Sequence, residues 1–182
     1  MRAAVILTLV LAAAGGAFAF IQQTKPAWYE RLRYPLSYQN IVVGHAHNYD
    51  LDPALLAAVI YRESKFRANA RSSSGALGLM QLLPDTAKGI ALHTGGTKFR
   101  VSDLYDPEIN VRYGSFYLRR LLNKYGDTRL ALAAYNAGQH NVDEWVADGK
   151  GIAFSETRAY VSQVLELREI YARAYASELG LG

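Results

Sequence analysis

Glu63 is the residue whose surroundings fit a plain amphipathic helix least well. Ile60, Val59 and Leu56 precede it by three, four and seven residues, so a helix through this stretch puts them on its face. A carboxyl that continues an apolar stripe is partly desolvated, which favours its neutral form and raises its pKa. A protonated carboxylic acid near neutral pH is what general-acid catalysis on an ether oxygen requires. The competing explanation is structural: a Glu paired with Arg62, Lys65 or Arg67, or one capping the Ser72–Ser74 loop. Position alone favours the structural explanation, because ion pairs also perturb carboxylates.

Two further segments carry the right residue types. Residues 74–81 read Ser-Gly-Ala-Leu-Gly-Leu-Met-Gln. Gly75, Ala76 and Gly78 permit close backbone approach, and Gln81 offers both a donor and an acceptor to an amide or hydroxyl. Tyr135-Asn136-Ala137-Gly138 combines an aromatic plate, an amide and a helix-ending glycine. Taken singly, the first reads equally well as a tight loop with apolar anchors, and Tyr135 as a core residue with a satisfied hydroxyl. The other acids announce no partner for Glu63. Asp52, Asp106 and Asp127 read as helix caps, and Asp85 and Glu156 fall in first turns, where negative charge is favourable in any case. The four histidines form no metal pattern: His45 and His47 are two apart and there is no HExxH. Serine-nucleophile chemistry lacks a GxSxG elbow, and no phosphate-cradling glycine pattern follows a strand, so a nucleotide enzyme is not expected.

The elements that must position these residues read as helices. Asp52-Pro53 is an N-cap followed by proline at the first helical position, opening a helix through Glu63. Asp106-Pro107 repeats that start and runs to Tyr125 before Gly126; Asp127 and Gly138 bracket another helix. From Ser155 onward Tyr160, Val164, Leu167, Tyr171 and Ala174 form one apolar stripe. Leu36–Tyr49 and Pro84–His93 are weaker candidates, and no segment alternates with period two. The fold class is therefore all-α.

At the N-terminus, Met1-Arg2 is followed by a charge-free stretch from Ala3 to Thr24 containing Ala17-Phe18-Ala19. This fits a secretory signal with an A-x-A cleavage site, or an anchor of roughly 20 residues with Trp28 and Tyr29 at the interface. Either way the working domain lies outside the cytoplasm, with 1–24 as signal or anchor, 25–35 as linker and 36–182 as the domain. Of 182 residues 51% are hydrophobic, enough for a core, and the absence of cysteine excludes disulfides and thiolate chemistry. The net charge of +4 is scattered along the chain, which fits an anionic surface such as a cell envelope at least as well as nucleic acid.

Read in order, the motifs resemble the lytic transglycosylase family, specifically the catalytic domain of the soluble lytic transglycosylases. They are Glu63-Ser64-x-Phe66, Ser74-x5-Met80-Gln81, Pro84-x-Thr86-Ala87, Asn110-x3-Gly114-x2-Tyr117-Leu118, Ala134-Tyr135-Asn136-Ala137-Gly138 and Glu156-Thr157-Arg158-x-Tyr160-Val161. The likeness spans residues 36–170 and departs at Gln139, where the family usually has proline. It implies a two-lobed, lysozyme-like helical domain with a groove for peptidoglycan glycan strands. It further implies cleavage of the β-1,4 bond between N-acetylmuramic acid and N-acetylglucosamine to a 1,6-anhydro product, with Glu63 as acid and then base and no cofactor. The groove residues it implies are Ser74, Gly75, Met80, Gln81, Tyr135 and Asn136. Ser74 would lie near the carboxyl, Tyr135 would hydrogen-bond close to Glu63, and Glu156 would stand on the far wall. Two other functions compete: a lysozyme-like hydrolase with a second carboxylate, and a non-catalytic peptidoglycan-binding scaffold.

Overall fold

Proline and aspartate set the helix starts. In the computed structural model, which describes residues 2–181 apart from the side chains of residues 3–5, 8, 17 and 22, all the regular elements are helical. Two single-residue bridges, Arg71–Leu77 and Leu77–Leu82, are the extended pairings among the described residues. The all-α expectation holds.

The chain divides into two units at Pro35/Leu36. The first carries α1 (Arg2–Thr24) and α2 (Ala27–Arg33). Within the stretch 25–35 expected to be a linker, α2 is helical, and its N-cap, Pro26, is extended at φ −61° and ψ 150°. Among the described residues no helix is both long and apolar enough to cross a membrane. The charge-free segment and its A-x-A site include residues, Ala17 among them, whose side chains lie outside the described ones.

The second unit contains α3 (Gln39–Asn48), α4 (Pro53–Ser64), α5 (Pro84–His93), a 3-10 turn (Val101–Tyr105), α6 (Pro107–Tyr125), α7 (Thr128–Ala137), α8 (Gln139–Ala147) and α9 (Ser155–Ala174). The expected caps are made: Asp52 accepts from the Ala54 amide at 2.8 Å, Asp106 from Ile109 at 3.0 Å and Asp127 from Leu130 at 2.9 Å. α4 is buried on nearly every face from Ala54 to Ile60, so it is the central helix of the larger lobe. α9 packs along it through Tyr160, Val164, Leu167 and Tyr171, and the small residues Ala131, Ala133 and Ala134 bring α7 close to α6 and α9. The salt bridge from Arg168 to Asp52, 2.6 Å, joins α9 to the start of α4. α3 packs on α4 and α6, where buried His45 sets its Nε2 2.8 Å from Glu108.

A smaller lobe gathers Leu77, Leu82, Ile90, Leu104 and Tyr113 from the 71–82 loop, α5, the 3-10 turn and the first half of α6. Asn110 holds this lobe together. Fully buried, it accepts the Met80 amide at 2.7 Å and donates to the carbonyls of Leu77 at 2.9 Å and Leu104 at 2.8 Å. Gly78 passes beside it at φ +77°, where a Cβ would collide with the Asn110 amide and the Leu104 carbonyl. α8 and the 3-10 turn were not foreseen. α8 starts on Gly138 itself (φ +87°), with no capping side chain, so the glycine that ends α7 also begins its successor.

Candidate active site

Glu63 sits in the last turn of α4, just before Lys65 turns left-handed and ends the helix. It is half-buried, with Leu56, Val59 and Ile60 fully enclosed on the preceding turns. Its Oε1 accepts a 2.6 Å hydrogen bond from the Tyr160 hydroxyl, delivered by α9. Burial pushes the Glu63 carboxyl above its ordinary value; the Tyr160 bond and the charge of Arg62 pull it partly back. Burial, and then the nearby Glu63 charge, hold the Tyr160 hydroxyl well above the usual tyrosine range, so it stays a donor. Arg62 lies over the Tyr160 ring at 5.3 Å while its Nε donates to Gln163 at 2.8 Å.

Around this carboxyl runs a cleft of three adjoining recesses, of ≈ 220, ≈ 220 and ≈ 480 Å³. Gln81 borders all three, and Glu63 and Ser72 border two of them. Gln81 has a left-handed φ of +49°, and its Nε2 donates to Gly78 at 2.8 Å and Ala70 at 3.3 Å. Those bonds fix the amide and leave its Oε1 free to accept. Ser72 and Ser74 share a hydrogen bond at 2.8 Å, and Ser72 also accepts the Ala76 amide at 3.0 Å. On the opposite wall the Tyr135 hydroxyl donates to the Met80 carbonyl at 2.8 Å, and Asn136 accepts from Thr157 at 2.9 Å. The cleft is therefore a polar groove of amides, hydroxyls and aromatic rings, which suits a polyhydroxylated ligand. Glu63 is the one carboxyl among its described lining residues.

Residues 41–156 match the family model of the transglycosylase SLT domain. The chain belongs to that family. Similar proteins include the soluble lytic murein transglycosylase of Salmonella typhimurium, 32% identical over 151 residues, covering 76% of this chain and 23% of that protein. The membrane-bound lytic murein transglycosylase F of Yersinia pestis is 39% identical over 109 residues, covering 56% of this chain and 20% of its own. Among solved structures, an inactive mutant of the lytic transglycosylase Slt from Pseudomonas aeruginosa superposes with a TM-score of 0.73 at 33% identity, covering 92% of this chain and 29% of that one. The SLT domain described here thus spans about a quarter of the length of these relatives.

Set out on the SLT domain, most of the anticipated residues meet around one groove, with differences at several positions. Ser74, Gln81, Tyr135 and Asn136 line the recess that contains Glu63, and Gly75 supplies a φ of +84° in the turn beneath it. Met80 does not present its side chain to the groove: it is fully buried with its thioether over Gly114, where a side chain would collide. Its contribution is the carbonyl that receives Tyr135. Leu83, 46% exposed, is the larger aliphatic residue in the wall instead, beside Ala76. The tyrosine bonded to Glu63 is Tyr160 rather than Tyr135, whose hydroxyl points at a backbone carbonyl. Glu156 is exposed on the first turn of α9 and is not among the groove-lining residues. Sequence reasoning treated Tyr160 only as a stripe residue, although its place in a motif shared with Glu156 and Arg158 was a usable signal. Ser72 and Leu83 gave none beyond proximity.

Proposed function

We propose that this SLT domain is a peptidoglycan lytic transglycosylase that cleaves the β-1,4 bond between N-acetylmuramic acid and N-acetylglucosamine. Glu63, as the neutral acid, donates its proton to the glycosidic oxygen as the C1–O bond breaks, releasing a sugar with a free 4-hydroxyl. The resulting carboxylate then takes the proton of the muramic C6 hydroxyl as O6 bonds to C1. The 1,6-anhydro ring closes and Glu63 is returned to its acid form, so no water is consumed. The observation that carries this reading is the half-buried Glu63, the one carboxyl among the described residues that line the groove, held by Tyr160. Glycosidases that use water generally need a second carboxylate near the first. Family membership supports the substrate class, and relatives bear both soluble and membrane-bound names. We further propose action in the cell envelope by residues 36–182, with residues 1–24 serving as export signal or tether. Ser72, Ser74, Gln81, Tyr135 and Asn136 are assigned to sugar contacts, and Glu156 to contacts beyond the groove.

Mass spectrometry of peptidoglycan sacculi after incubation with the protein tests this directly. Wild type should release anhydromuramic products, and Glu63→Gln, which keeps the shape but loses the transferable proton, should slow release by at least ~10²-fold. Reducing-end products would make the enzyme a hydrolase, and sacculus binding without products would make it a scaffold.

A further inference from the structure

A recess of ≈ 320 Å³ lies between the end of α5, the 3-10 turn and the first half of α6, and it shares no lining residue with the cleft around Glu63. Tyr113 marks it out. The residue is 2% exposed, and its hydroxyl makes no hydrogen bond among the described residues. A tyrosine hydroxyl usually finds a partner when its ring is buried. This one meets the recess at Gly96, where a Cβ would come within 2.7 Å of it. Gly96 is held there, its amide on the Ala91 carbonyl at 2.7 Å and its own carbonyl accepting the Phe99 amide at 3.0 Å. Three charged side chains line the same recess: Lys98, Arg112 and Asp103. Asp103 is fixed by its Oδ2, which accepts the Arg100 amide at 2.8 Å, and Arg112 lies over the Tyr113 ring at 5.3 Å. Among the described residues no ion pair joins Asp103 to either cation, so both signs of charge stand apart beside a hydroxyl with no partner. A simple anion would meet Asp103, a simple cation would meet Lys98 and Arg112, and a neutral ligand would answer neither. An amino-acid head group, with ammonium and carboxylate on one carbon, answers both.

We propose that this recess binds such a head group, its ammonium on Asp103 and its carboxylate on Arg112, Lys98 and the Tyr113 hydroxyl, with Phe99 as the apolar wall. The volume stands at the small end of the roughly 300–1,000 Å³ usual for ligand pockets, which suits one amino-acid residue. The head group has two sources: a free amino acid, or the end of a peptide whose last residue carries a second, unlinked amino-acid centre. α6 ties the recess to the cleft, since Tyr117 lines the cleft one turn after Tyr113, about 6 Å along the axis. On the glycan reading above, on which this placement rests, a peptide hanging from a bound strand is the source within reach. Its charged end would then be held on the smaller lobe while the sugars lie in the cleft.

Calorimetry on the full chain tests this with four probes: free 2,6-diaminopimelate, a tripeptide ending in it, and that tripeptide with its far amine acetylated or its far carboxyl amidated. The unmodified tripeptide should bind, and either block should weaken it by about tenfold or more, the scale of one charge-assisted hydrogen bond. Asp103→Asn should erase the penalty for acetylation, and Arg112→Gln most of the penalty for amidation. Tyr113→Phe should weaken the unmodified tripeptide by about fivefold, the worth of one neutral hydrogen bond. That variant removes an oxygen bonded to nothing else among the described residues, so it leaves the fold intact. Diaminopimelate binding as tightly as the tripeptide would assign the free head group as ligand; tighter binding of the tripeptide would assign the peptide. No binding of either, no penalty from blocking, or penalties that survive the substitutions overturns the inference. The transglycosylase reading is judged separately by the products released from sacculi. If that reading fails while the substitution pattern holds, the head-group site stands without its link to the glycan.

Discussion

At the scale of single residues, the proposed chemistry rests on one carboxyl and the hydroxyl that touches it. Tyr160 does two things to Glu63: it holds Oε1 at 2.6 Å, and it favours the ionised form against the larger effect of burial. Tyr160→Phe should therefore raise the Glu63 pKa further, so the alkaline limb of the activity profile moves to higher pH while kcat drops by about tenfold, the worth of one hydrogen bond. A pH–rate profile of the variant checks both; a limb that moves to lower pH would show that the bond serves the neutral acid instead. The suspicion about Glu63 was legible because Leu56, Val59 and Ile60 declared its face. Tyr160 was not legible as its partner: its contact joins residues 97 apart, and helical periodicity is blind to which stripe residue meets a carboxyl on another helix. The same blindness misplaced Met80, since a loop methionine reads alike whether it faces the core or a groove.

At the scale of elements, the helix starts were written plainly by Asp-Pro pairs and by Asp127, and α5 runs Pro84–His93 as anticipated. α8 escaped because Gly138 reads as a stop, while its torsion lets a new helix begin at once. The loop that carries Gln81 depends on Asn110, whose three bonds tie it to α6 and the 3-10 turn. Asn110→Ala strands a buried amide and two carbonyls, each costing about 1–3 kcal/mol if unmet. At roughly 2–4 °C per kcal/mol for a chain of this size, calorimetry should register a Tm lower by about 5 °C or more. A shift under a degree would mean that water replaces the side chain without loss.

At the scale of the whole molecule, the proposed catalysis and the stability of the fold pull on the same carboxyl. Glu63 titrates above its unfolded value, so between the two values the folded state binds more protons than the unfolded state. The stability it confers is full below the ordinary carboxylate range and is lost as pH rises through the raised value. Glu63→Gln cannot ionise, so its melting temperature should gain on that of wild type as pH is raised from about 4 to about 8. Scanning calorimetry across that range measures the trend; a difference that shrinks with pH would mean the protein stabilises the carboxylate. The acid proposed to serve the reaction is in this sense a burden on the fold, a common arrangement at functional sites.

The Asn110 clamp has a consequence for motion. The 71–82 loop is irregular, yet the Met80 amide is fully enclosed and bonded to a side chain on a long helix. Such an amide gives up its hydrogen to solvent only in openings that also disrupt the smaller lobe, so its exchange keeps time with that lobe rather than with loop fluctuations. The wall bearing Gln81 is thereby anchored at Met80 to the smaller lobe. On the function proposed above, a glycan strand would meet this wall already in place beside Met80.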